Sequence, residues 1–526
     1  MKRKILELLC LCTLITIIGC NEKNKKYTIE DPQYKIPWET LNSGQPYDAA
    51  DENDIFDPTV YNKTITITGN GDEITIENPY ANSIANIEGT SKANGVYINK
   101  EKNAGINYTF IVAREANLNI ILKGTFNHQI RMYSHKATAL TLDNVTINSA
   151  YGSTLNITNN RKTIINLVGT NILTDSKNYP TTSDSDSEEE DEEENKFTSV
   201  GQMKGNIFSE GDLVFTGSGN VRISANYKHA IVSDDHIRVN GGNIFVDNAI
   251  SDAIHAKDKF VMDKGSLNLT ATSDGIDCKN GYVVINNGSI EMNVGGKGIK
   301  SEKDTEALPE KQAINYFTYI NNGTINIKAG DEGIDSKQSL TINGGEISIS
   351  ANENALNSQE RLSINGGSIY CYSKNSDGVD SNADIIITNG TIISYGSNAE
   401  KSGFDCNENK FIIKGGYVIG AGFKTSVPTE ESTNNSIIVK GISQVLTCIS
   451  NNSNNILVFE PEYSFTTLLI STPDIKTNTA YNIYQGGFMP GEAEAKHGLY
   501  LSGVYNNDGA TTKEISTSNS WITTIE

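Results

Sequence analysis

The most constraining feature of this sequence is a unit of about 23 residues that recurs along its central part. Segments such as SDGIDCK, DEGIDSK and SDGVDSN begin successive units, and an Asn-Gly or Gly-Gly pair follows within each. Aligned on the small residue after the first acidic position, the units are spaced by 24, 23, 22, 23, 35, 22, 23 and 25 residues. A fixed period of this length indicates a stacked repeat architecture. The aligned anchor positions are Asn206, Ala230, Ala253, Gly275, Gly298, Gly333, Ala355, Gly378 and Gly403.

Within each unit, apolar and polar residues alternate as they do in short strands. In SLTINGGEISISA, Leu340, Ile342, Ile347 and Ile349 point the same way, and the Gly-Gly pair supplies the positive φ of a sharp corner. β-Branched residues dominate and helix signals are scarce. We therefore predict an all-β protein, a right-handed parallel β-helix whose coils bury their apolar faces against one another, followed by a small C-terminal β cap.

The repeat also predicts the domain boundaries. The β-helix is expected to span residues 61–424, with an acidic insertion at 178–196 and a loop insertion at 302–315, and the cap region to span 425–526. Asparagines recur at one corner of the coils, where stacked amides can hydrogen-bond between neighbours. We interpret this column as structural. Its members are Asn240, Asn286, Asn321, Asn343 and Asn365.

The N-terminus has the features of a secretory signal. A basic start at Lys2–Lys4 precedes an apolar run that is too short to span a bilayer, and the run ends in Ile-Ile-Gly-Cys, as in a bacterial lipobox. We predict a signal peptide at 1–19, lipidation of Cys20 and a polar linker at 20–60. The alternative is an ordinary signal peptide with an incidental cysteine. The expected location is the bacterial cell envelope, at the outer membrane or cell surface, with the mature chain anchored by lipid.

Charge and cysteine content narrow the class of partner. The formal net charge is −21, which argues against binding to nucleic acid. Nine acidic residues lie within 183–195, a block typical of a solvated loop, although it could also collect calcium. The four cysteines beyond the signal and Cys20 are too scattered for a disulfide framework. They are Cys278, Cys371, Cys406 and Cys448. We expect a monomer.

Two columns of polar residues flank the anchor positions. Equivalent residues of stacked coils lie about 4.8 Å apart, and like charges at that distance repel by about 3 kcal/mol at a surface. Either interspersed lysines such as Lys297, Lys300 and Lys337 neutralise the columns, or calcium binds to them. The column before the anchor holds Asp252, Asp274, Lys297, Glu332, Asn354, Asp377 and Ser402. The column after it holds His255, Asp277, Lys300, Asp335, Asn357, Asp380 and Asp405.

The repeated SDGIDCK-type segments with their Asn-Gly corners resemble a family of carbohydrate-binding β-helix proteins that bind cellulose and polygalacturonate. The segments NIFSEGDLVFTGSGNVRISA and YNIYQGG also fit, and the resemblance covers roughly residues 61–490. It implies a pectate-lyase-like fold without catalysis, and calcium held by repeat carboxylates. Carried onto this sequence, the metal candidates are Asp252, Asp274, Asp277, Glu332, Asp335, Asp377, Asp380 and Asp405. Lys297, Lys300, Asn354 and Asn357 depart from that pattern.

Three functions remain open from the sequence. The first is a non-catalytic protein that binds an extracellular polysaccharide, either polygalacturonate-like or cellulosic, with calcium bridging acidic protein and acidic sugar. The second is a calcium-dependent polysaccharide lyase, which needs a base and a cation beside the uronate. The third is a structural adhesin or stalk. The lysines of the columns stand among solvated charges, where a base's depressed pKa is not expected, so we favour binding over catalysis.

Overall fold

Short parallel strands joined by sharp corners make up nearly all of the chain that the structure, a computed structural model, describes. The described residues are 47–81, 95–103, 106–159, 161–179, 203–303, 316–397, 400–441, 444–451, 454–491 and 493–526. They fall within one compact unit, Pro46–Glu526. The signal peptide, Cys20 and most of both insertions lie outside the described residues. Within those residues, no helix has the length and apolar character needed to cross a membrane.

Each regular coil contributes three strands, one to each of three parallel faces of a β-solenoid of about 12 turns. The prediction of a parallel β-helix is therefore confirmed. Five strands of the earlier coils are long: Lys63–Gly71, Leu118–Phe126, Thr138–Asn148, His236–Ala249 and Lys259–Ala271. The last three pair with shorter strands of both the first and the second face. The first face also holds Thr163–Val168, Leu213–Gly217, Tyr282–Ile285, Thr318–Ile320, Leu340–Ile342, Leu362–Ile364, Ile385–Ile387 and Phe411–Ile413.

The second and third faces complete each coil. The second face holds Thr170–Thr174, Asn220–Ala225, Ser289–Val294, Thr324–Ala329, Glu346–Ala351, Ser368–Ser373, Thr391–Gly396 and Tyr417–Gly422. The third face holds Val96–Asn103, Ile106–Ala113, Gln129–Ser134, Leu155–Ile157, Gly205–Ser209, His229–Ser233, Ile254–Ala256, Ile276–Cys278, Ile299–Ser301, Ile334–Ser336, Leu356–Ser358, Val379–Ser381 and Phe404–Asp405. The strand Glu73–Glu77 forms a hairpin with Lys63–Gly71 near the first coil.

The register of the third face agrees with the predicted anchors. Ile254 pairs with Ile276, Ile276 with Ile299, and Ile299 with Ile334, so the residue after each anchor aligns with its counterpart in the next coil. These side chains point inward and are fully buried. The core is thus a set of aliphatic columns, and no single coil could bury its apolar residues alone.

The predicted corners also form as expected. Gly345 and Gly367 have φ values of 98° and 95°, in the left-handed region that favours glycine. A Cβ at Gly367 would lie 2.8 Å from the carbonyl oxygen of Gly345, so close stacking also requires glycine here.

Only part of the asparagine column forms an amide ladder. The Asn365 amide donates to Asn343 Oδ1 at 2.9 Å, and Thr388 donates to Asn365 Oδ1 at 2.9 Å. The earlier members do something else, because Asn240 donates to the carbonyl oxygen of Asp54 and Asn286 to that of Tyr47. These two asparagines hold the segment that precedes the first coil.

That segment, residues 47–61, differs from the predicted linker and is called the strap here. It runs along the outside of the first face, from Tyr47 beside Tyr319 to Tyr61 beside Ala139. A short 3-10 helix, Glu52–Asp54, lies within it and carries a capping box at Asp51. Charged contacts fix its middle, because Arg238 pairs with both Asp48 and Asp54. The rest of the predicted linker lies outside the described residues.

The parallel stack ends close to the predicted boundary. After Tyr417–Gly422, the strand Thr467–Ser471 pairs antiparallel with it, and Ser436–Lys440 and Ile522–Ile525 extend this edge. A separate six-stranded sheet contains Thr447–Ser450, Asn455–Phe459, Ala480–Gln485, Ala495–Lys496, Leu499–Tyr500 and Thr511–Ser516. Ile438 and Leu469 of the antiparallel edge join the buried core of the solenoid, and the six-stranded sheet packs against Tyr395 and Ile419 of the second face.

Candidate functional site

The column before the anchors works as a chain of backbone acceptors. At this corner a side-chain oxygen of one coil accepts the backbone N–H of the equivalent residue in the next coil. An acid or amide is therefore useful here whether or not a metal is present, because the N–H would otherwise lack an acceptor. The pairs are Asp252 Oδ1 with Asp274 N (3.1 Å), Asp274 Oδ1 with Lys297 N (2.7 Å), Asn354 Oδ1 with Asp377 N (3.0 Å) and Asp377 Oδ1 with Ser402 N (2.6 Å).

Lysines neutralise the middle of both columns. The Lys297 ammonium group contacts Asp335 and lies 3.3 Å from Glu332 Oε2, while Lys337 Nζ lies 2.8 Å from Asp335. Asp335 is fully buried and also accepts the Asn357 amide at 3.0 Å. Burial alone would lower the pKa of Lys297, but Asp335 and Glu332 hold it above the ordinary lysine value. At these coils the predicted charge-alternated ladder is present.

Carboxylates crowd one another at the last coils of the third face. Asp380 and Asp405 are register partners, and Asp377 lies at the preceding corner. Burial, followed by the charges of Asp377 and Asp405, raises the pKa of Asp380 to about 6. The neighbouring groups are polar rather than apolar, with Asn354 donating to Asp380 Oδ2 at 2.9 Å and Lys401 lying 3.3 Å from Asp377.

Histidines enter the columns at the earlier coils. His229 stands one position before the anchor Ala230, and so extends the first column by one coil. Its Nδ1 lies 3.0 Å from Asp252 Oδ2, and the Nδ1 of His255 lies 3.1 Å from the same oxygen. His255 Nδ1 also lies 3.0 Å from Asp277 Oδ2. Burial alone would lower the pKa of His255, but its hydrogen bonds to Asp252 and Asp277 raise that pKa to about 9.

Toward the N-terminal coils of the third face, an arginine and an asparagine lie side by side without ion-pair partners among the described residues. Arg131 and Asn156 are register neighbours on adjacent strands, and their side chains are 4% and 0% exposed. The Arg131 Nε and one terminal nitrogen, and both polar atoms of the Asn156 amide, have no hydrogen-bond partner. The Arg131 guanidinium lies 4.4 Å from the centre of the Tyr108 ring. Burial lowers the pKa of Arg131, and no carboxylate among the described residues offsets the effect.

The eight predicted metal ligands do not form one cluster. Four lie in strands of the third face in the predicted register, and four lie at the corner before it, so they are spread over several coils. The strand residues are Asp277, Asp335, Asp380 and Asp405, and the corner residues are Asp252, Asp274, Glu332 and Asp377. Among the described residues, the groups of three or more His, Cys, Asp or Glu with converging ligand atoms include only Asp252 of the eight. The sequence analysis missed His229, which extending the first column by one coil would have found. It also missed Arg131 and Asn156, which lie in irregular early coils where the repeat is weak.

The cysteine prediction is confirmed for the described residues. Cys278, Cys371, Cys406 and Cys448 are free and buried. Burial raises the pKa of each thiol. They behave as small apolar side chains of the core, so they supply neither a crosslink nor a thiolate site.

The fold and the polar columns define a β-solenoid that presents a long outward face of hydrogen-bonding and charged groups. The model of the carbohydrate-binding domain-containing protein family matches residues 107–375, slightly more than half of the 526 residues. The chain belongs to that family. The matched residues include Arg131, Asn156 and the columns from His229 to Asn357.

Two other comparisons provide less information about the function. A search of curated proteins gave no match. Among solved structures, the gadolinium derivative of a polysaccharide lyase-like protein from C. thermocellum is 20% identical, covers 59% of this chain and 94% of its own, and has a TM-score of 0.36. A likeness this low does not bear on activity.

Proposed function

We propose that this chain is a non-catalytic polysaccharide-binding protein of the cell envelope, acting on acidic, polygalacturonate-like or cellulosic glycans. The observation that carries the proposal is the family match over residues 107–375, the coils that form most of the solenoid's third face. A straight stack of coils offers equivalent groups about every 4.8 Å. Such a surface suits an extended polymer better than a small molecule.

An acidic glycan needs positive groups on a chain whose net charge is −21. Arg131 would supply one once the glycan displaces the groups that bury it, because its guanidinium has unused donors and lies beside the unused amide of Asn156. A planar guanidinium matches a carboxylate with two parallel hydrogen bonds. The partly exposed Tyr133, on the Arg131 strand, and Tyr108, on the strand paired with it, would flank a sugar ring placed there.

Calcium is the second means by which an acidic glycan could bind. The donors at Asp377, Asp380 and Asp405 fit this hard cation, since they are carboxylates, and burial with the charges of Asp377 and Asp405 raises the pKa of Asp380, which would gain from a positive ion. The fit is poorer at Glu332 and Asp335, where the Lys297 ammonium group already lies between the carboxylates. We therefore assign calcium to the last coils, where it would supply positive charge for a uronate carboxylate.

Catalysis by these columns is disfavoured by the state of their lysines. A lyase base must be able to lose its proton near neutral pH. The pKa values of Lys297 and Lys300 are raised by neighbouring acids, against the effect of burial, so both side chains are held as ammonium ions. They stabilise the ladder and are poor proton acceptors.

Anchoring completes the proposal. The lipobox-like Ile-Ile-Gly-Cys ending at Cys20 would carry the lipid, and residues from Asn21 to Pro46 would join it to the strap. A lipid on Cys20 would hold the solenoid and its glycan-binding surface at the cell envelope. We expect the anchored protein to be a monomer. Metabolic labelling with a clickable fatty acid, compared between wild type and Cys20→Ala, tests this part separately.

A polysaccharide array tests the binding function. Purified protein is applied with calcium and then with EDTA, and polygalacturonate, cellulose and neutral glycans are compared. Binding to polygalacturonate or cellulose supports the proposal, and its weakening by EDTA supports the calcium assignment. The double variant Asp377→Asn, Asp380→Asn should lose the calcium-dependent part. Glu291→Gln with Asp508→Asn removes the same charge from exposed positions elsewhere and should not.

The same samples distinguish the alternatives. Accumulation of unsaturated uronate products, detected by their ultraviolet absorbance, would assign a lyase activity and overturn the non-catalytic part. Absence of binding to every glycan, with the protein folded by circular dichroism, would favour the adhesin or stalk.

A further inference from the structure

Two imidazoles and one carboxylate converge at the start of the polar columns. His229 and His255 stack with their ring centres 4.6 Å apart, and their Nδ1 atoms lie 3.0 Å and 3.1 Å from Asp252 Oδ2. The ligand atoms of these three residues all lie within 4.8 Å of one another. Asp277 Oδ2 lies 3.0 Å from His255 Nδ1 on the other side.

The cluster is built into the solenoid. His229 begins the strand His229–Ser233, His255 is the central residue of Ile254–Ala256, and Asp277 is the central residue of Ile276–Cys278. Asp252 uses its Oδ1 to accept the Asp274 N–H, which fixes the carboxylate and leaves Oδ2 facing the histidines. The side chains of His229, Asp252 and Asp277 are at most 8% exposed. Such fixed outer contacts orient metal ligands in proteins.

The hydrogen bonding inside the cluster is incomplete. His229 Nδ1 lies 3.3 Å from the Asp252 N–H, which makes it an acceptor, but it also lies 3.0 Å from a carboxylate oxygen, where it would have to donate. One nitrogen cannot serve both contacts. Asp277 Oδ1 is buried without a hydrogen-bond partner, and Lys300 Nζ stays 3.6 Å away. A cation among the three converging ligand atoms would accept the lone pairs of His229 Nδ1 and Asp252 Oδ2, and so remove the conflict at His229.

We propose that His229, Asp252 and His255 bind one divalent transition-metal ion of the zinc class. Zinc binds imidazole nitrogen and carboxylate oxygen at about 2.0–2.2 Å, so the ligand atoms of a tetrahedral site lie roughly 3.3–3.5 Å apart. The observed separations of 3.0–3.1 Å need only a slight expansion to admit the ion.

The donor set also separates this site from calcium. Calcium takes hard oxygen ligands, whereas imidazole suits zinc, copper, nickel and iron. Asp252, predicted from the sequence as a calcium ligand, would therefore hold a different metal at this end of the columns. The site does not depend on glycan binding, and either proposal can fail without the other.

Isothermal titration tests the site. The protein without an affinity tag, freed of metal with a chelator and then placed in excess calcium, is titrated with zinc chloride. We expect one zinc ion per chain that calcium does not displace. His255→Gln and His229→Gln should each weaken zinc binding by at least about 100-fold, because losing a direct ligand costs at least as much as the 10- to 100-fold loss seen for outer contacts.

A matched control comes from the second His–Asp group, Asp212, Asp235 and His236. This group offers a single imidazole, whose two nitrogens face different carboxylates, with Nδ1 3.2 Å from Asp212 and Nε2 3.1 Å from Asp235. His236→Gln should leave zinc binding unchanged. Loss of binding in His236→Gln with retention in both other variants would overturn the assignment.

Cobalt substitution keeps the test valid if a histidine variant fails to fold. The wild-type protein loaded with Co²⁺ should show the intense visible absorption of a four-coordinate nitrogen and oxygen site. The weak absorption of six-coordinate cobalt, or no zinc binding by the wild type, would overturn the proposal.

Discussion

Asp274 Oδ1 accepts the backbone N–H of Lys297 at 2.7 Å, and the two residues hold the same position in successive coils. Where an acid or amide holds this position, its side-chain oxygen therefore accepts a backbone N–H of the next coil. This relationship explains why acids and amides recur at a corner where their charges repel.

Asp274 permits a direct test of the acceptor role. Asp274→Ala should leave the Lys297 N–H without its acceptor, and we expect a loss of about 1–3 kcal/mol in the free energy of unfolding. Asp274→Asn keeps an acceptor and removes a carboxylate whose pKa is raised to about 6 by burial and by Asp252 and Asp277. The Asn variant should be at least as stable as wild type at neutral pH. Denaturant unfolding of the two variants measures this difference in stability. Equal stability of Asp274→Ala and Asp274→Asn would contradict the acceptor role.

The attachment of the strap to the solenoid depends on Arg238. Its side chain is 7% exposed and pairs with Asp48, Asp54 and Asp263. Arg238→Met leaves three carboxylates without their shared cation, so we expect a loss of about 3–5 kcal/mol in the free energy of unfolding. Arg222→Met is the control, because the Arg222–Asp247 pair is exposed and should contribute only about 0–1 kcal/mol. Similar losses in the two variants would mean that the strap contributes little.

Asp175 should make stability depend on pH. It is 4% exposed, accepts hydrogen bonds from Tyr179 and Asn226, and has a pKa raised from 3.8 to about 6, chiefly by burial. The folded state thus binds this proton more tightly than the unfolded state. Its contribution to the free energy of unfolding should fall as pH rises from 3.8 to about 6, and stay constant above that.

Asp175→Asn should remove this dependence, because the amide has no proton to lose. Denaturant unfolding at a series of pH values, compared between the two proteins, gives the difference slope. A variant as pH-dependent as wild type over this window would show that Asp175 ionises normally in the fold.

Arg131 is expected to lower the stability of the fold and to contribute to glycan binding. A buried guanidinium without an anionic partner costs free energy, so Arg131→Met should raise the free energy of unfolding by about 1–3 kcal/mol. If the guanidinium receives a glycan carboxylate, the same variant should bind polygalacturonate more weakly. Arg222→Met, at an exposed arginine, should neither raise the free energy of unfolding nor weaken the binding of polygalacturonate.

Two other outcomes are informative at Arg131. A variant that is more stable with unchanged glycan binding would remove Arg131 from the binding surface. Glycan binding that appears only after deletion of residues 184–194 would indicate that the chain's own acidic segment competes for this arginine.

The repeat could be predicted from the sequence because its information is local. The alternation around Leu340 and the glycine at Gly345 are determined by strand geometry and by positive φ, and both recur every coil. The register of the columns followed from the same period, which is why Asp277, Lys300 and Asp335 align as expected.

The strap and the early polar pair could not be predicted in this way. Asp48 contacts Arg238 across 190 positions of the sequence, and nothing near either residue marks the partnership. Arg131 lies where coil lengths vary, so no column identifies its neighbours. His229 is an intermediate case, because the period does locate it, but the residue type differs from the acids that define the column.

The strap also changes how the solenoid would bear a load. A pull on the chain preceding Tyr47 would act first on Asn286, Tyr282 and Arg238, midway along the stack, and would shear their side-chain contacts. Without the strap, the same force would peel Lys63–Gly71 from the end, breaking one strand pairing at a time. Shearing requires many contacts to fail together, so the strap should make the repeat array mechanically tougher than its individual coils.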